Sequence, residues 1–145
     1  MRVAIGADHA GFRLKDHLAE MLRDDGWEID DHGTHSTESV DYPDVAAVVA
    51  RAVAGGEAAR GVLVCGTGLG VALAACKVPG ALAATCNEIL SARMARAHND
   101  ANIVTLGARV VGPGVAEEIV RTFLATDFEG GRHARRRDKI LALEA

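Results

Sequence analysis

Aromatic side chains and long apolar runs are both scarce in this sequence. Only 3% of the 145 residues are Phe, Trp or Tyr, and no apolar stretch reaches the length of a membrane-spanning helix. The N-terminus also lacks the apolar core of a secretion signal. We therefore expect a core built from Ala, Val, Leu and Ile, in a protein that does not engage a membrane and stays in the cytoplasm.

Cysteine is scarce as well: the three residues form no CxxC pair and show no zinc-type spacing with histidine. An odd number of thiols fits a reducing compartment better than a disulfide framework. Cys76 and Cys86 stand among small apolar residues, and we expect both to be buried and inert. This pattern predicts no metal site.

The chain also lacks a basic excess, since 16 Lys and Arg against 20 Asp and Glu give a formal net charge of −4. A general nucleic-acid binder would present a basic face, so we expect no nucleic-acid partner. The basic run from Arg132 to Arg137 is a local exception. Such a cluster suits a small anionic ligand or a partner chain, although a solvated helix face would also explain it.

What the sequence does contain is an alternation of short, nearly all-apolar runs with segments of helical periodicity. That alternation predicts a parallel sheet covered on both faces. The predicted class is α/β: a single three-layer α/β/α Rossmann-like domain over residues 1–145, with a five-stranded parallel sheet. An extra C-terminal helix is free to reach a neighbouring subunit. The predicted strands are 2–6, 27–30, 61–65, 81–85 and 103–106, and the predicted helices begin at residues 12, 43, 71, 88, 115 and 133.

Polar and reactive side chains collect where the predicted strands end. Ligands of open parallel sheets bind beyond the carboxyl ends of the strands, so we expect the functional site at that edge. The adjacent acid and imidazole after the first strand suit hydrogen bonds to hydroxyl groups. The residues just past the first, third, fourth and fifth strands are Asp8 and His9, Cys65 with a glycine loop, Asn87 and Glu88, and Gly107 to Arg109.

The glycine loop follows the third strand directly. Glycines let the backbone approach a ligand, and amides at a helix N-terminus attract anions. The loop lacks the GxGxxG spacing of dinucleotide-binding folds and the Lys-Ser/Thr of a P-loop. It therefore predicts either an anion site or simply a tight strand-to-helix turn. Its residues are Gly66, Thr67, Gly68, Leu69 and Gly70.

Cys65 ends the strand before this loop. Helix N-termini favour the thiolate form of cysteine. A thiolate beside amide donors can remove a proton α to a carbonyl, because the oxyanion that forms needs those donors. The alternative is a buried, inert thiol. His98 offers a similar choice, between a proton shuttle near neutral pH and a cap at a helix C-terminus.

Five motifs, in order, span essentially the whole chain: Gly6 to Gly11, Asp41 to Pro43, Cys65 to Gly70, His98 to Asp100, and Gly130 to His133. Together they resemble the motif series of the ribose-5-phosphate isomerase B family. The wider group includes galactose-6-phosphate isomerase subunits and allose-6-phosphate isomerases. Several ordered motifs are far more specific than any one of them.

The resemblance implies interconversion of D-ribose 5-phosphate and D-ribulose 5-phosphate through an enediolate, in the pentose phosphate pathway and without a cofactor. Cys65 then resembles the family's base, and His98 the group that assists ring opening, with Thr67 near that step. Gly66 to Gly70 resemble the anion hole. Asp8, His9 and Asn99 are implied in sugar binding, and the implied phosphate clamp is Arg109, Arg132 and Arg136.

Family sites lie at a subunit interface, so the resemblance also implies a homodimer or tetramer that binds a phosphorylated sugar there. Two departures stand out: Cys76 replaces a usual Asn, and Leu82 a frequent Arg. Retention of Cys65 favours the branch with a cysteine base over the branch with a glutamate. The open alternatives are a six-carbon sugar phosphate isomerase, a non-catalytic sugar-phosphate sensor and, disfavoured by its glycine spacing, a nucleotide-binding domain.

Overall fold

The computed structural model describes residues 1–144 and shows strands alternating with helices along the whole chain. Five parallel strands form one sheet, as the apolar runs predict. The strands are β1 (Arg2–Ala7), β2 (Glu28–Asp31), β3 (Arg60–Cys65), β4 (Ala83–Thr85) and β5 (Ile103–Gly107). The helices are α1 (Phe12–Asp24), α2 (Tyr42–Ala54), α3 (Leu69–Ala75), α4 (Ile89–Ala97), α5 (Pro113–Ala125) and α6 (Arg132–Leu141).

The strands lie in the order β2-β1-β3-β5-β4. The chain therefore reverses direction across the sheet between β1 and β3, and their carboxyl ends open the crevice where ligands of such sheets bind. The last strand, β5, inserts between β3 and β4. In register, Cys65 at the end of β3 pairs with Gly107 at the end of β5.

Helices cover both faces of the sheet, which confirms the predicted three-layer α/β/α, Rossmann-like arrangement. One apolar cluster packs α1, α4 and α5 against one face, with Leu18 and Phe123 fully buried. The second cluster packs α2 and α3 against the other face. Because β1, β3 and β5 are buried on both sides, they are nearly all apolar.

The final helix, α6, packs on its own chain rather than standing free. Arg137 Nη1 donates to Asp100 Oδ2 at 2.6 Å, and the Gly80 N–H donates to Glu144 Oε1 at 2.9 Å. These partners precede β5 and β4, so α6 lies against the amino-terminal edge of the sheet. Within residues 1–144, no helix has both the length and the apolar character needed to cross a membrane.

Candidate active site

The turn after β1 fixes a carboxylate beside the end of β3. Asp8 is 6% exposed, and its Oδ1 accepts the N–H groups of Ala10 and Gly11, each at 3.0 Å. Its own N–H donates to the Val64 carbonyl at 3.2 Å. A Cβ at position 11 would lie 2.4 Å from that same carbonyl oxygen, so this close approach requires glycine. Both side-chain bonds fall on Oδ1, which leaves Oδ2 the freer acceptor.

His9 ties this turn to the polar segment between β2 and α2. Its Nδ1 accepts the Val40 N–H at 3.2 Å, so the neutral ring carries its proton on Nε2 and can donate from there. Tyr42 begins α2, and its ring packs over the glycine turn. A Cβ at Gly70 would lie 2.5 Å from Tyr42 Cε1, and the glycine makes room for the ring.

Cys65 lies under the glycine turn with its sulfur bonded to a main-chain amide. The Gly68 N–H donates to Cys65 Sγ at 3.2 Å, and the Leu69 N–H donates to Thr67 Oγ1 at the same distance. Gly68 adopts φ +83°, in the left-handed region that favours glycine. Cys65 is 5% exposed and borders the apolar cluster of α2 and α3. Its surroundings are therefore apolar on one side and amide-lined on the other.

Side chains from β4 and β5 hold the carbonyls of the turn. Thr105, fully buried on β5, donates to the Gly68 carbonyl at 2.6 Å, and Thr85 donates to the same oxygen at 3.0 Å. Asn87 donates from Nδ2 to the Thr67 carbonyl at 3.0 Å and accepts the Gly107 N–H at 2.8 Å. With its carbonyls bonded from behind, the turn directs its N–H groups the other way.

Arg109 follows β5 and brings a cation to this edge. Its N–H donates to the Gly66 carbonyl at 3.0 Å. Its side chain is exposed and passes over Gly66, where a Cβ would lie 3.5 Å from Nη1. A guanidinium in this position offers paired donors to a carboxylate or a phosphate.

A second group of predicted residues lies at the end of α4. His98 and His133 stack with ring centroids 4.1 Å apart and planes 8° from parallel. Glu129 Oε1 lies 3.8 Å from His98 Nε2 and 3.7 Å from His133 Nε2. The pKa of His133 lies below its ordinary 6.5. Burial is the largest cause, and the charges of His98 and Arg132 contribute less. His133 is therefore harder to protonate than a free imidazole.

Within residues 1–144, two groups of side chains lie close enough to hold a cation, His98 with Glu129 and His133, and Asp16 with Asp31 and His35, but both fit one poorly. The stacked rings of His98 and His133 aim their in-plane lone pairs along separate, parallel planes, which do not converge on one ion. In the other group, the fully buried Lys15 already donates to Asp31 and contacts Asp16. Its ammonium occupies the place that a cation would take.

The predicted site residues thus fall into two groups at opposite edges of the sheet. The carboxyl-terminal edge brings together Asp8, His9, Cys65, the turn from Gly66 to Gly70, and Arg109. The amino-terminal edge carries His98, Asn99, Arg132 and Arg136, the last three exposed. A five-residue strand spans about 16 Å, and that length of sheet separates the two groups.

The other two cysteines differ from each other. Cys86 is 1% exposed, as predicted. Its pKa is raised to about 11, mainly by burial and to a smaller extent by the charge of Glu88. The prediction that Cys76 is buried is wrong, because the residue ends α3 on its outer face and is exposed. It lines a groove of about 480 Å³ beside α3 together with Leu69, Leu73 and Thr85; Cys65 is not among the lining residues.

Sequence reasoning missed four contributors to this edge. Asn87 stood at the expected place after β4 but received no role, and its bonds depend on how β5 lies beside β3. Thr85 and Thr105 resemble ordinary strand residues in sequence. Tyr42 lies in the motif from Asp41 to Pro43, and that position was the sign in the sequence that it belongs to the site.

Comparisons with known proteins agree over nearly the full length of the chain. The family model described as Ribose/Galactose Isomerase matches residues 3–140. Ribose-5-phosphate isomerase B of Escherichia coli is 47% identical over 143 residues, which cover 99% of this chain and 96% of that protein. D-erythrulose-4-phosphate isomerase of Pectobacterium atrosepticum is 43% identical, covering 97% of this chain and 93% of that one.

A solved structure gives the same result in three dimensions. Ribose-5-phosphate isomerase B of Clostridium thermocellum superimposes with a TM-score of 0.98 at 53% identity, covering 99% of this chain and 97% of that one. With a family model spanning both groups of site residues and relatives near 50% identity over the full length, the chain belongs to the ribose/galactose isomerase family, in its ribose-5-phosphate isomerase B group.

Proposed function

We propose that this chain is an aldose–ketose isomerase that interconverts D-ribose 5-phosphate and D-ribulose 5-phosphate. The observation that carries the proposal is the Cys65 sulfur bonded to the Gly68 N–H, between the Asp8 turn and Arg109. The family membership and the named activities of the relatives support the same reaction. The proposal takes residues 1–145 as one cytoplasmic isomerase domain of the pentose phosphate pathway, with no cofactor.

The reaction needs a base and a place for developing negative charge. In this proposal the Cys65 thiolate removes a proton from the carbon next to the carbonyl and returns it to the former carbonyl carbon, while the hydroxyl proton on the neighbouring oxygen moves to the former carbonyl oxygen. The electron pair passes to the carbonyl oxygen as an enediolate forms, and N–H groups of the glycine turn stabilise that oxygen. The turn's carbonyls are already bonded to Thr85, Thr105 and Asn87, so little rearrangement is required.

Other groups at this edge hold the sugar. Asp8 Oδ2 and the Nε2–H of His9 suit hydroxyl groups, and Thr67 is exposed on the turn above Cys65. Arg109 suits the phosphate, whose binding energy positions the reacting carbons. Asp8, His9 and Arg109 act mainly in binding rather than in the proton transfer itself.

A second copy of the chain supplies the remaining groups in our proposal. His98, which would assist ring opening, and Asn99, Arg132 and Arg136, which would bind substrate and its phosphate, lie across the sheet from their own Cys65. A single chain cannot bring the two edges together without breaking the sheet. The exposed side chains of Leu69 (58%) and Leu73 (71%) on α3, beside the glycine turn, favour a homodimer with the site at its interface.

The test compares two thiols of the same chain. We expect Cys65→Ala to lower kcat by about 10²- to 10⁴-fold with little change in KM, because a general base acts in the transition state. Cys76→Ala removes an exposed thiol that does not touch the turn and should leave kcat unchanged. Assays on ribose 5-phosphate, with and without a chelator, measure both. Full turnover in Cys65→Ala would show that the base is another group.

Substrate preference needs its own assay, since the relatives include an enzyme named for a four-carbon ketose phosphate. We expect kcat/KM for ribose 5-phosphate to exceed the values for allose 6-phosphate, galactose 6-phosphate and erythrulose 4-phosphate. Faster turnover of any of these would overturn the five-carbon assignment. Tight binding of ribose 5-phosphate without turnover would instead favour a sensor.

A further inference from the structure

Asn87 lies just past β4 and bridges two main-chain groups of the site. Its Nδ2 donates to the Thr67 carbonyl oxygen at 3.0 Å, and its Oδ1 accepts the Gly107 N–H at 2.8 Å. A flipped amide would face a carbonyl with its oxygen and an N–H with its nitrogen, so the two partners fix the orientation of the side chain. Asn87 thereby links the glycine turn to the end of β5.

The oxygen that Asn87 holds belongs to the peptide that faces the sulfur. The Thr67 carbonyl and the Gly68 N–H are the two ends of one planar peptide unit. That N–H donates to Cys65 Sγ at 3.2 Å. A donor on the carbonyl oxygen restrains rotation of the plane and polarises the N–H at its other end, because hydrogen bonds in a chain strengthen one another.

The neighbouring peptide is held by different residues. Thr105 and Thr85 donate to the Gly68 carbonyl, whose peptide unit carries the Leu69 N–H. That N–H bonds Thr67 Oγ1 rather than the sulfur. Within residues 1–144, Asn87 is thus the side chain that bonds the carbonyl end of the peptide directed at Cys65.

We propose that Asn87 is a positioning residue that stabilises the thiolate of Cys65 through the Thr67–Gly68 peptide. Asn87 itself does not need to touch substrate. The proposal deepens the proposed function, and its importance for turnover rests on Cys65 acting as the base. Its effect on the thiol, however, can be measured without substrate.

The test is the pH dependence of Cys65 alkylation by iodoacetamide in the substrate-free protein. Asn87→Leu keeps the approximate size of the side chain and removes both hydrogen bonds. We expect the midpoint of the alkylation profile to rise by about 0.5 to 1 pH unit, because part of a charge-assisted hydrogen bond to the thiolate is lost. Peptide mass spectrometry reads Cys65 separately from the exposed Cys76.

Asn102 provides a matched control at the opposite edge. Its side chain also bridges two main-chain groups, donating to the Gly80 carbonyl at 2.9 Å and accepting the Leu82 N–H at 2.8 Å. Asn102→Leu should therefore cost stability without moving the alkylation profile of Cys65. The charged and titratable groups around the turn stay the same in both variants: Asp8, His9, Tyr42, Glu88 and Arg109.

Turnover separates this inference from the proposed function. With Cys65 as base, Asn87→Leu should lower kcat by about threefold to tenfold, with KM nearly unchanged. Asn87→Ala, which disturbs packing least, should shift the profile in the same direction if the leucine variant folds poorly. A wild-type alkylation profile in folded Asn87 variants would overturn the inference. Full activity in Cys65→Ala would overturn the proposed function, whatever the Asn87 variants show.

Discussion

Two separate features of position 68 favour glycine, its backbone conformation and the lack of space for a Cβ. Its φ of +83° lies in the left-handed region, and a Cβ there would lie 2.8 Å from the main-chain carbon of Leu106. Gly56 has the same φ of +83°, but no atom lies within 4 Å of its Cβ position. The two glycines therefore separate the cost of conformation from the cost of steric overlap.

We expect Gly56→Ala to lower the free energy of unfolding by about 1 kcal/mol, the cost of the left-handed region for an L-residue. Gly68→Ala should cost about 2 kcal/mol more, because the overlap is with backbone that cannot move freely. It should also lower kcat by tilting the N–H bonded to Cys65. Urea unfolding measures the first effect and a steady-state assay the second. Equal costs at both positions would contradict the overlap.

At the scale of secondary-structure elements, Asp100 is one of the residues that hold α6 to the body of the chain. Arg137 donates to Asp100 Oδ2, Arg96 donates to Oδ1 at 2.8 Å, and the Arg137 guanidinium lies 4.9 Å from the centre of the Phe128 ring. Burial would raise the pKa of Asp100, but the two arginine bonds outweigh it and hold the pKa below its ordinary 3.8. This anchor sets where the exposed arginines of α6 point.

We expect Arg137→Ala to lower the free energy of unfolding by about 1 kcal/mol near neutral pH, as for a partly buried ion pair. Asp100 binds fewer protons in the folded state, so the pair stabilises the fold above pH 3.8 and stops doing so as the pH falls below that value. The difference in the free energy of unfolding between the wild type and Arg137→Ala should therefore disappear in acid.

Arg135→Ala is the control for this helix, because Arg135 is exposed and has no ion pair within residues 1–144. It should leave stability unchanged. In activity assays, Arg137→Ala should raise KM more than it lowers kcat, since in the proposed site α6 holds Arg132 and Arg136 where they would bind the phosphate. An Arg137→Ala protein with normal stability at neutral pH would show that the anchor lies elsewhere.

At the scale of the whole molecule, the two groups of site residues give a direct test of a site shared between chains. In a twofold dimer, Cys65→Ala and His98→Ala damage different halves of the same site. Mixing the two inactive proteins under conditions that exchange subunits should restore about one quarter of wild-type activity, since half of the dimers then carry one intact site. Neither protein alone should recover. No recovery after demonstrated exchange would place both residues in one chain's site.

The layers of this molecule were predictable from its sequence, but the order of the strands was not. Nearly all-apolar runs indicate buried parallel strands, and the structure confirms all five. Which strand pairs with which depends on contacts between distant segments, and the insertion of β5 between β3 and β4 leaves no periodic signal. Cys65 could be identified as a candidate from the end of its own strand, whereas Asn87 and Thr105, which bond the glycine turn from β4 and β5, could not.

Local composition also misled at one position. Cys76 follows two alanines and looks apolar in sequence, but α3 buries Val71 and Ala75 and turns Leu73 and Cys76 outward. Periodicity over a seven-residue helix is too short to fix which face is buried. Similarly, the predicted C-terminal helix exists, but its anchor to Asp100 depends on a tertiary contact that the sequence does not display.

The insertion of β5 also constrains the order in which the strands can pair while the chain is synthesised on the ribosome. β4 is synthesised before β5 but pairs with β5 alone, whereas β1, β2 and β3 can pair as soon as they emerge. In a nascent chain that ends before residue 103, at most β1, β2 and β3 can form this sheet, and β4 lacks the strand with which it pairs. Thr105 lies on β5 and Asn87 bonds Gly107 of β5, so the hydrogen bonds around the glycine turn and Cys65 can be completed only once β5 has joined the sheet.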